Sequence, residues 1–172
     1  NINIDKVWHF GIKNVSDIDI TYADNLGYAI KFVASSSLVG ENISISVEPK
    51  FVSKDSIIAK TSNEFNVVEI KCDYNDDLLF YGKGAGRYPT ANAIVNDIIM
   101  IVNNDMNYTF KNRNTYRINE LEESGKYYLR VKDKSLVEDK LIDKVIDNQI
   151  LTKEVSFEEI RKQMENIIFY AK

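Results

Sequence analysis

The chain has 172 residues, with 22 Lys and Arg against 26 Asp and Glu, a formal charge of −4. That length can bury a core without disulfides or metals. With 44% hydrophobic and 28% charged residues and only seven Gly and two Pro, disorder and low-complexity linkers are excluded. Acidic and basic residues alternate, so no basic stripe serves a nucleic acid. Cys72 is the only cysteine, which excludes an internal disulfide and a multi-thiolate zinc site. It reads as a small core hydrophobe in a reducing compartment. The single His9 leaves a histidine metal site or a catalytic triad without a second imidazole, so no metal is expected. The longest apolar run, Ile98 to Val102, is far short of the roughly 20 residues a spanning helix needs. No membrane span and no signal peptide are expected, and a cytoplasmic setting follows. The start at Asn1 rather than Met predicts a piece of a longer polypeptide.

Along the chain, Ser16-Asp17-Ile18-Asp19 reads as a capping box opening a helix over about 17–26, with Val15 and Ile20 placed as a hydrophobic staple and Gly27 as the stop. Alternating residues at Tyr28 to Ala34 and at Ile43, Ile45 and Val47 predict a hairpin around Val39-Gly40-Glu41-Asn42. Phe65 to Cys72 and Leu78 to Tyr81 predict two more strands, separated by the polar Asp73 to Asp77 cluster, which lacks calcium-loop spacing. Ile94, Val95, Ile98, Ile101 and Val102 share one helix face, so a helix is expected over about 90–103 with Pro89 in its first turn. The polar stretch Asn103 to Asn114 marks a boundary, dividing the chain into 1–105 and 106–172. In the second part, Tyr127 to Val131 predicts a strand, and Val137 to Asp147 a helix with Val137, Leu141, Val145 and Ile146 inward. Ile150 to Val155 predicts a short strand. A last helix opens on the capping box Ser156 and Glu159, with Phe157, Ile160, Met164, Ile167 and Ile168 as its stripe.

One segment carries chemistry. A strand runs into Gly82-Lys83-Gly84-Ala85-Gly86 and then a helix, an arrangement that lets backbone approach an anion and points first-turn N–H groups and the helix dipole at it. By spacing alone this is no dinucleotide fingerprint, and a structural tight turn is an equal reading. Exposed Lys83 and Arg87 could help hold a phosphate, or simply be solvated.

The longer string Phe80-Tyr81-Gly82-Lys83-Gly84-Ala85-Gly86-Arg87-Tyr88-Pro89-Thr90-Ala91-Asn92-Ala93-Ile94-Val95-Asn96-Asp97-Ile98 resembles the F-Y-G-x-G-A-G-x-x-P-T-A-x-A-V-V-x-D-I segment of monofunctional homoserine dehydrogenases. Gly11-Ile12, Asp19-Ile20, Ala23 and Leu26-Gly27-Tyr28-Ala29-Ile30-Lys31 are similar to that family's upstream pattern. Val47-Glu48-Pro49 and Phe65-Asn66-Val67-Val68 fall where it has V-x-P and F-N-A-V. The resemblance spans roughly residues 10 to 103.

The resemblance implies an α+β fold of mixed and antiparallel sheet with helices on one face. It implies an enzyme interconverting aspartate semialdehyde and homoserine with NADP or NAD, on the route to threonine, methionine and isoleucine. Gly86 would touch the cofactor, with Gly84 and Ala85 shaping the loop and Thr90 orienting it. The family's catalytic lysine and its substrate-holding acidic residues lie upstream of the matched pattern. No catalytic residue is therefore expected in this chain, Lys31 is not one, and the chain alone should not turn over. Its expected partners are an N-terminal Rossmann domain of the same polypeptide and a second copy, as a homodimer. Tyr127-Tyr128-Leu129-Arg130 resembles the opening of the family's ACT regulatory tail, which makes 106–172 a degenerate ACT-like module with a shortened middle hairpin. Its turn Val131-Lys132-Asp133-Lys134-Ser135-Leu136-Val137 lacks the family's Pro and Gly, so effector binding is not assigned to it. The rival reading is a non-catalytic binding or assembly module on the same scaffold.

Overall fold

The computed structural model describes residues 3–74, 76–105, 116–118 and 124–172. It forms two compact units, one of Asn1–Lys54 with Asn114–Lys172 and the other Asp55–Arg113. The chain folds as α+β with mixed and antiparallel sheets. The C-terminal stretch shares a unit with the first 54 residues. Most of the boundary stretch itself lies outside the described residues.

In the first unit a 3₁₀ turn, Ile4–Lys6, leads into β1 (Trp8–His9) and α1 (Asp17–Asn25). β2 (Tyr28–Val39) and β3 (Asn42–Ser53) form the expected hairpin, longer than the alternation alone suggested, in register from Tyr28 with Ser53 to Val39 with Asn42. β1 and β6 (Arg117–Ile118) pair with β3 in parallel. The expected capping box closes α1, the Asp19 carboxylate accepting from the Ser16 N–H at 2.8 Å. The staple does not form. Ile20 is more than half exposed, and Val15 packs instead against the core around Tyr128.

The C-terminal stretch corrects the sequence reading. After β7 (Ser124–Gly125) and β8 (Tyr128–Val131) come two 3₁₀ turns, Lys134–Leu136 and Asp139–Leu141, where a helix over 137–147 was expected. β9 (Ile142–Ile146) then pairs with β10 (Gln149–Thr152), so the middle hairpin is present. β11 (Val155–Ser156) precedes α4 (Phe157–Arg161), and Ile167–Ala171 is strand β12 rather than the end of a long helix. The helical spacing misled because Phe157 and Ile160 face the core from α4, whereas Ile167 reaches it from a strand. Asn166 marks the break: it donates to the Asp133 carbonyl at 2.7 Å and accepts from the Asp133 N–H at 3.0 Å.

The sheet order β12-β8-β10-β9 is antiparallel throughout. Both faces of its β8 and β12 strands are buried. Leu129, Val131 and Tyr170 join Val137, Leu141, Ile150, Phe157 and Ile160 on one side, while Tyr128, Phe169 and Ala171 meet Val15, Tyr22, Ile30 and Phe51 on the other. This is the period-2 alternation of a strand with core on each side. Trp8 and Phe10 cover the edge of these clusters, Trp8 edge-on to Phe157 at 4.9 Å between ring centres.

Two buried carboxylates tie this sheet to the N-terminal part. Asp19 is fully buried and accepts from the Tyr128 hydroxyl and Arg130 Nε, each at 2.8 Å, and from Arg130 Nη2 at 3.1 Å. Ser16 Oγ adds a further bond at 2.9 Å. Glu48 accepts from Tyr170 and, at 2.9 Å, from Ser46 Oγ. Burial alone would raise the Asp19 carboxyl, but the bonds from Arg130, Tyr128 and Ser16 outweigh it and hold it below its ordinary value of 3.8. Its folded value being depressed, Asp19 contributes stability that is complete above that value and fades as pH falls through the lower folded one.

Arg130→Met strands a buried carboxylate and should cost about 3–5 kcal/mol in urea unfolding near neutral pH. Asp19→Asn combined with Arg130→Met should cost less than the sum of the two single changes. The gap between the parent chain and Asp19→Asn should narrow below about pH 4. Additive costs and a pH-independent gap would contradict the ion-pair account.

Candidate functional site

The glycine-rich segment lies in the second unit. A four-residue helix, α2 (Ile57–Lys60), precedes β4 (Phe65–Ile70) and β5 (Leu78–Lys83), which form an antiparallel hairpin pairing Phe65 with Lys83 and Asn66 with Gly82. α3 (Arg87–Val102) follows, starting three residues earlier than its apolar spacing suggested, with Pro89 in its first turn. Phe65 and Tyr81 stack at 5.0 Å with planes 6° apart, which fixes the hairpin beside the loop.

The three glycines differ in why they are glycine. Gly82 has open space where a side chain would stand. Gly84 does not: a Cβ there would lie 1.6 Å from Asn66 Nδ2 and 2.6 Å from its Cγ. Gly86, the N-cap of α3, sits at φ 118° and ψ 156°, a backbone region almost confined to glycine. As a glycine it carries no capping oxygen, so the N-cap residue itself gives no side-chain cap to the first-turn N–H groups of α3. Gly84, Ala85 and Gly86 are exposed in one short loop. Thr90, also exposed, sits inside the first turn rather than at its start, its N–H donating to the Gly86 carbonyl at 3.0 Å.

Two residues that spacing did not single out hold the loop. The Gly84 N–H donates to the Glu64 carbonyl at 2.8 Å, and the Glu64 carboxylate pairs with Lys83 Nζ at 3.0 Å. The Glu64 main-chain N–H and the Lys83 ammonium keep that carboxyl below its ordinary value. Asn66 sets its carboxamide against Gly84. Lys83 is thus engaged by Glu64 and lies over the Phe65 ring at 5.4 Å, and Arg87 lies over Tyr88 at 5.8 Å. Among the described residues no group of three or more His, Cys, Asp or Glu side chains could hold a metal ion. Cys72 is exposed, correcting its reading as core.

No α3 side chain in the described structure is buried. Ile94, Ile98 and Ile101 are each more than half exposed, as are Val68, Phe80 and Tyr81 on the hairpin. Large apolar faces of this kind mark interaction surfaces.

Comparison with known proteins decides the family. The homoserine dehydrogenase family profile matches residues 1–99. The chain belongs to the homoserine dehydrogenase family. It is 41% identical over 96 residues to the homoserine dehydrogenase of Synechocystis sp., an overlap of 54% of this chain and 22% of that protein. It is 32% identical over 104 residues to the Bacillus subtilis homoserine dehydrogenase, an overlap of 60% and 24%. The crystal structure of a homoserine dehydrogenase from Thiobacillus denitrificans superposes with a TM-score of 0.71 at 22% identity, over 96% of this chain and 46% of that one. The chain therefore has the fold of this family along nearly its whole length, and it spans about a quarter of the length of the curated relatives it matches. No helix among the described residues is long and apolar enough to cross a membrane.

Gly86→Ala should destabilise the second unit by about 1–3 kcal/mol because alanine is strained at that φ and ψ, whereas Gly82→Ala should be tolerated. Stepwise urea unfolding followed by hydrogen exchange in α3 checks this, and equal effects at the two positions would contradict it.

Proposed function

We propose that this chain supplies the C-terminal part of a homoserine dehydrogenase, the enzyme interconverting homoserine and aspartate semialdehyde with NADP or NAD in the cytoplasm. The observation that carries the reading is the junction of β5, Gly84-Ala85-Gly86 and α3. The residues fit a nucleotide: Gly86 presents bare backbone, and the uncapped first turn of a 16-residue helix favours an anion through its N–H groups and dipole. Bound there, the nicotinamide nucleotide supplies or accepts the hydride. Gly86 would contact it, Gly84 and Ala85 would set the path of the loop, and Thr90 would orient the first turn.

No catalytic residue is assigned to this chain, and the chain by itself is inactive on this reading, since hydride transfer needs a positioned cofactor and a general acid near the carbonyl oxygen. The cofactor's main site is assigned to a partner, an N-terminal Rossmann domain of the same polypeptide, and the general acid to the stretch just upstream of the matched pattern. The exposed apolar residues of α3 and of the β4–β5 hairpin support such a covering surface. Residues 1–105 are read as part of the catalytic domain. Residues 106–172 are read as a degenerate ACT-like tail, in which β8, β9, β10, α4 and β12 follow a βαββαβ succession with the first helix reduced to two 3₁₀ turns. A homodimer through the β2–β3 sheet fits the exposure of Phe32, Leu38 and Val39.

Expression of this chain with the coding sequence that precedes it, assayed for homoserine-dependent reduction of NAD or NADP, tests the reading. Activity in the combined protein, its absence from either part, and its loss in Gly86→Val are expected. A folded complex without activity would favour a non-catalytic assembly module on the same scaffold.

A further inference from the structure

We propose that Asn66 is a positioning residue for the glycine-rich loop, and that Asn66 and Gly84 form a matched pair in which the carboxamide at 66 fills the space a side chain at 84 would need. The proposal rests on the nucleotide reading of that loop and adds a residue to it. A Cβ on Gly84 would meet all three outer atoms of Asn66: Nδ2 at 1.6 Å, Cγ at 2.6 Å and Oδ1 at 3.3 Å. The first two distances are far inside van der Waals contact and the third is tight. Asn66 and Gly84 cannot both keep their places once Gly84 carries a methyl group.

The contact sits where it can steer the loop. Asn66 stands opposite Gly82 on the neighbouring strand, one residue past Phe65, whose ring is locked against Tyr81. Gly84 is held by the Glu64 carbonyl at 2.8 Å, and two residues later Gly86 opens α3. The chain between the fixed strand and the helix N-terminus thus passes between a main-chain hydrogen bond and the exposed Asn66 carboxamide. On this proposal the loop, and not only the carboxamide, yields when Gly84 gains a methyl group, and the path of Ala85 and Gly86 moves with it. Asn66 touches no reacting atom on this reading and acts through the loop backbone.

A steric swap tests it. Asn66→Ala removes the three atoms a methyl at 84 would strike, and Gly84→Ala supplies a methyl in their place. In the combined enzyme, Gly84→Ala should raise the KM for the nicotinamide nucleotide about tenfold or more, as expected for a displaced binding element, with kcat little changed. Adding Asn66→Ala to Gly84→Ala should bring that KM back to within about threefold of the parent, a coupling that independent sites do not show. In parallel, amide exchange on the chain itself reads the loop without nucleotide. Protection of the Gly84 N–H should fall in Gly84→Ala and return in the double variant. A double variant as impaired as Gly84→Ala in exchange, or a Gly84→Ala chain with unchanged exchange, overturns the pairing. If exchange shows the rescue while nucleotide KM is indifferent to all three variants, Asn66 shapes the loop without serving the nucleotide, which overturns its positioning role and the nucleotide reading of the loop together.

Discussion

The buried Asp19 carboxylate is the constraint on which the first unit is arranged. It closes the capping box of α1 and receives the guanidinium of Arg130 and the hydroxyl of Tyr128, which lie more than a hundred residues away in sequence. One carboxylate thus sets both where α1 begins and where β8 lies. A charge without water is tolerable only when its acceptor sites are filled, and here five donor contacts fill them. Tyr170 with Glu48 repeats the device on β12 and β3. The C-terminal sheet is accordingly part of the same core as α1 and the β2–β3 hairpin, with Tyr128 and Phe169 packed among Tyr22, Ile30 and Phe51.

The second unit is organised by opposite means. It is open, its helix buries no side chain among the described residues, and its order is local. The stacked Phe65 and Tyr81, the Glu64 carbonyl and the Asn66 carboxamide define a narrow path from β5 to α3. Each glycine answers a different demand along that path. Gly84 makes room for a side chain, Gly86 adopts a backbone that other residues resist, and Gly82 meets neither requirement. On the proposed reading this loop holds the ligand while a second body covers the apolar part.

What could be read from the sequence was what local chemistry determines. The capping box at Ser16 and Asp19, the turn at Gly40, both hairpins and the loop from β5 to α3 depend on neighbours a few residues apart, and each formed as expected. The C-terminal stretch did not, because two different geometries satisfy its spacing. Val137, just past the first 3₁₀ turn, and Leu141, the last residue of the second, are buried, while Val145 and Ile146, four and five residues beyond Leu141, lie exposed on β9. β12 is buried on both faces, so Ile167 to Ala171 shows no alternation to tell it from a helix. Asp19 was legible as a cap and hidden as an ion-pair partner, since nothing in spacing announces Arg130. Asn66 was likewise hidden: its contact with Gly84 exists only in the register of β4 against β5.

On the proposed reading, Gly84-Ala85-Gly86 and the first turn of α3 receive the nicotinamide nucleotide when the chain is joined to a nucleotide-binding domain. Residue-resolved hydrogen exchange on that combined protein, with and without NADPH, tests it most directly. Exchange of the amides from Ala85 to Tyr88 should slow when the nucleotide binds, with β9 and β10 unchanged. Nucleotide binding that leaves the loop amides exchanging as before would contradict it.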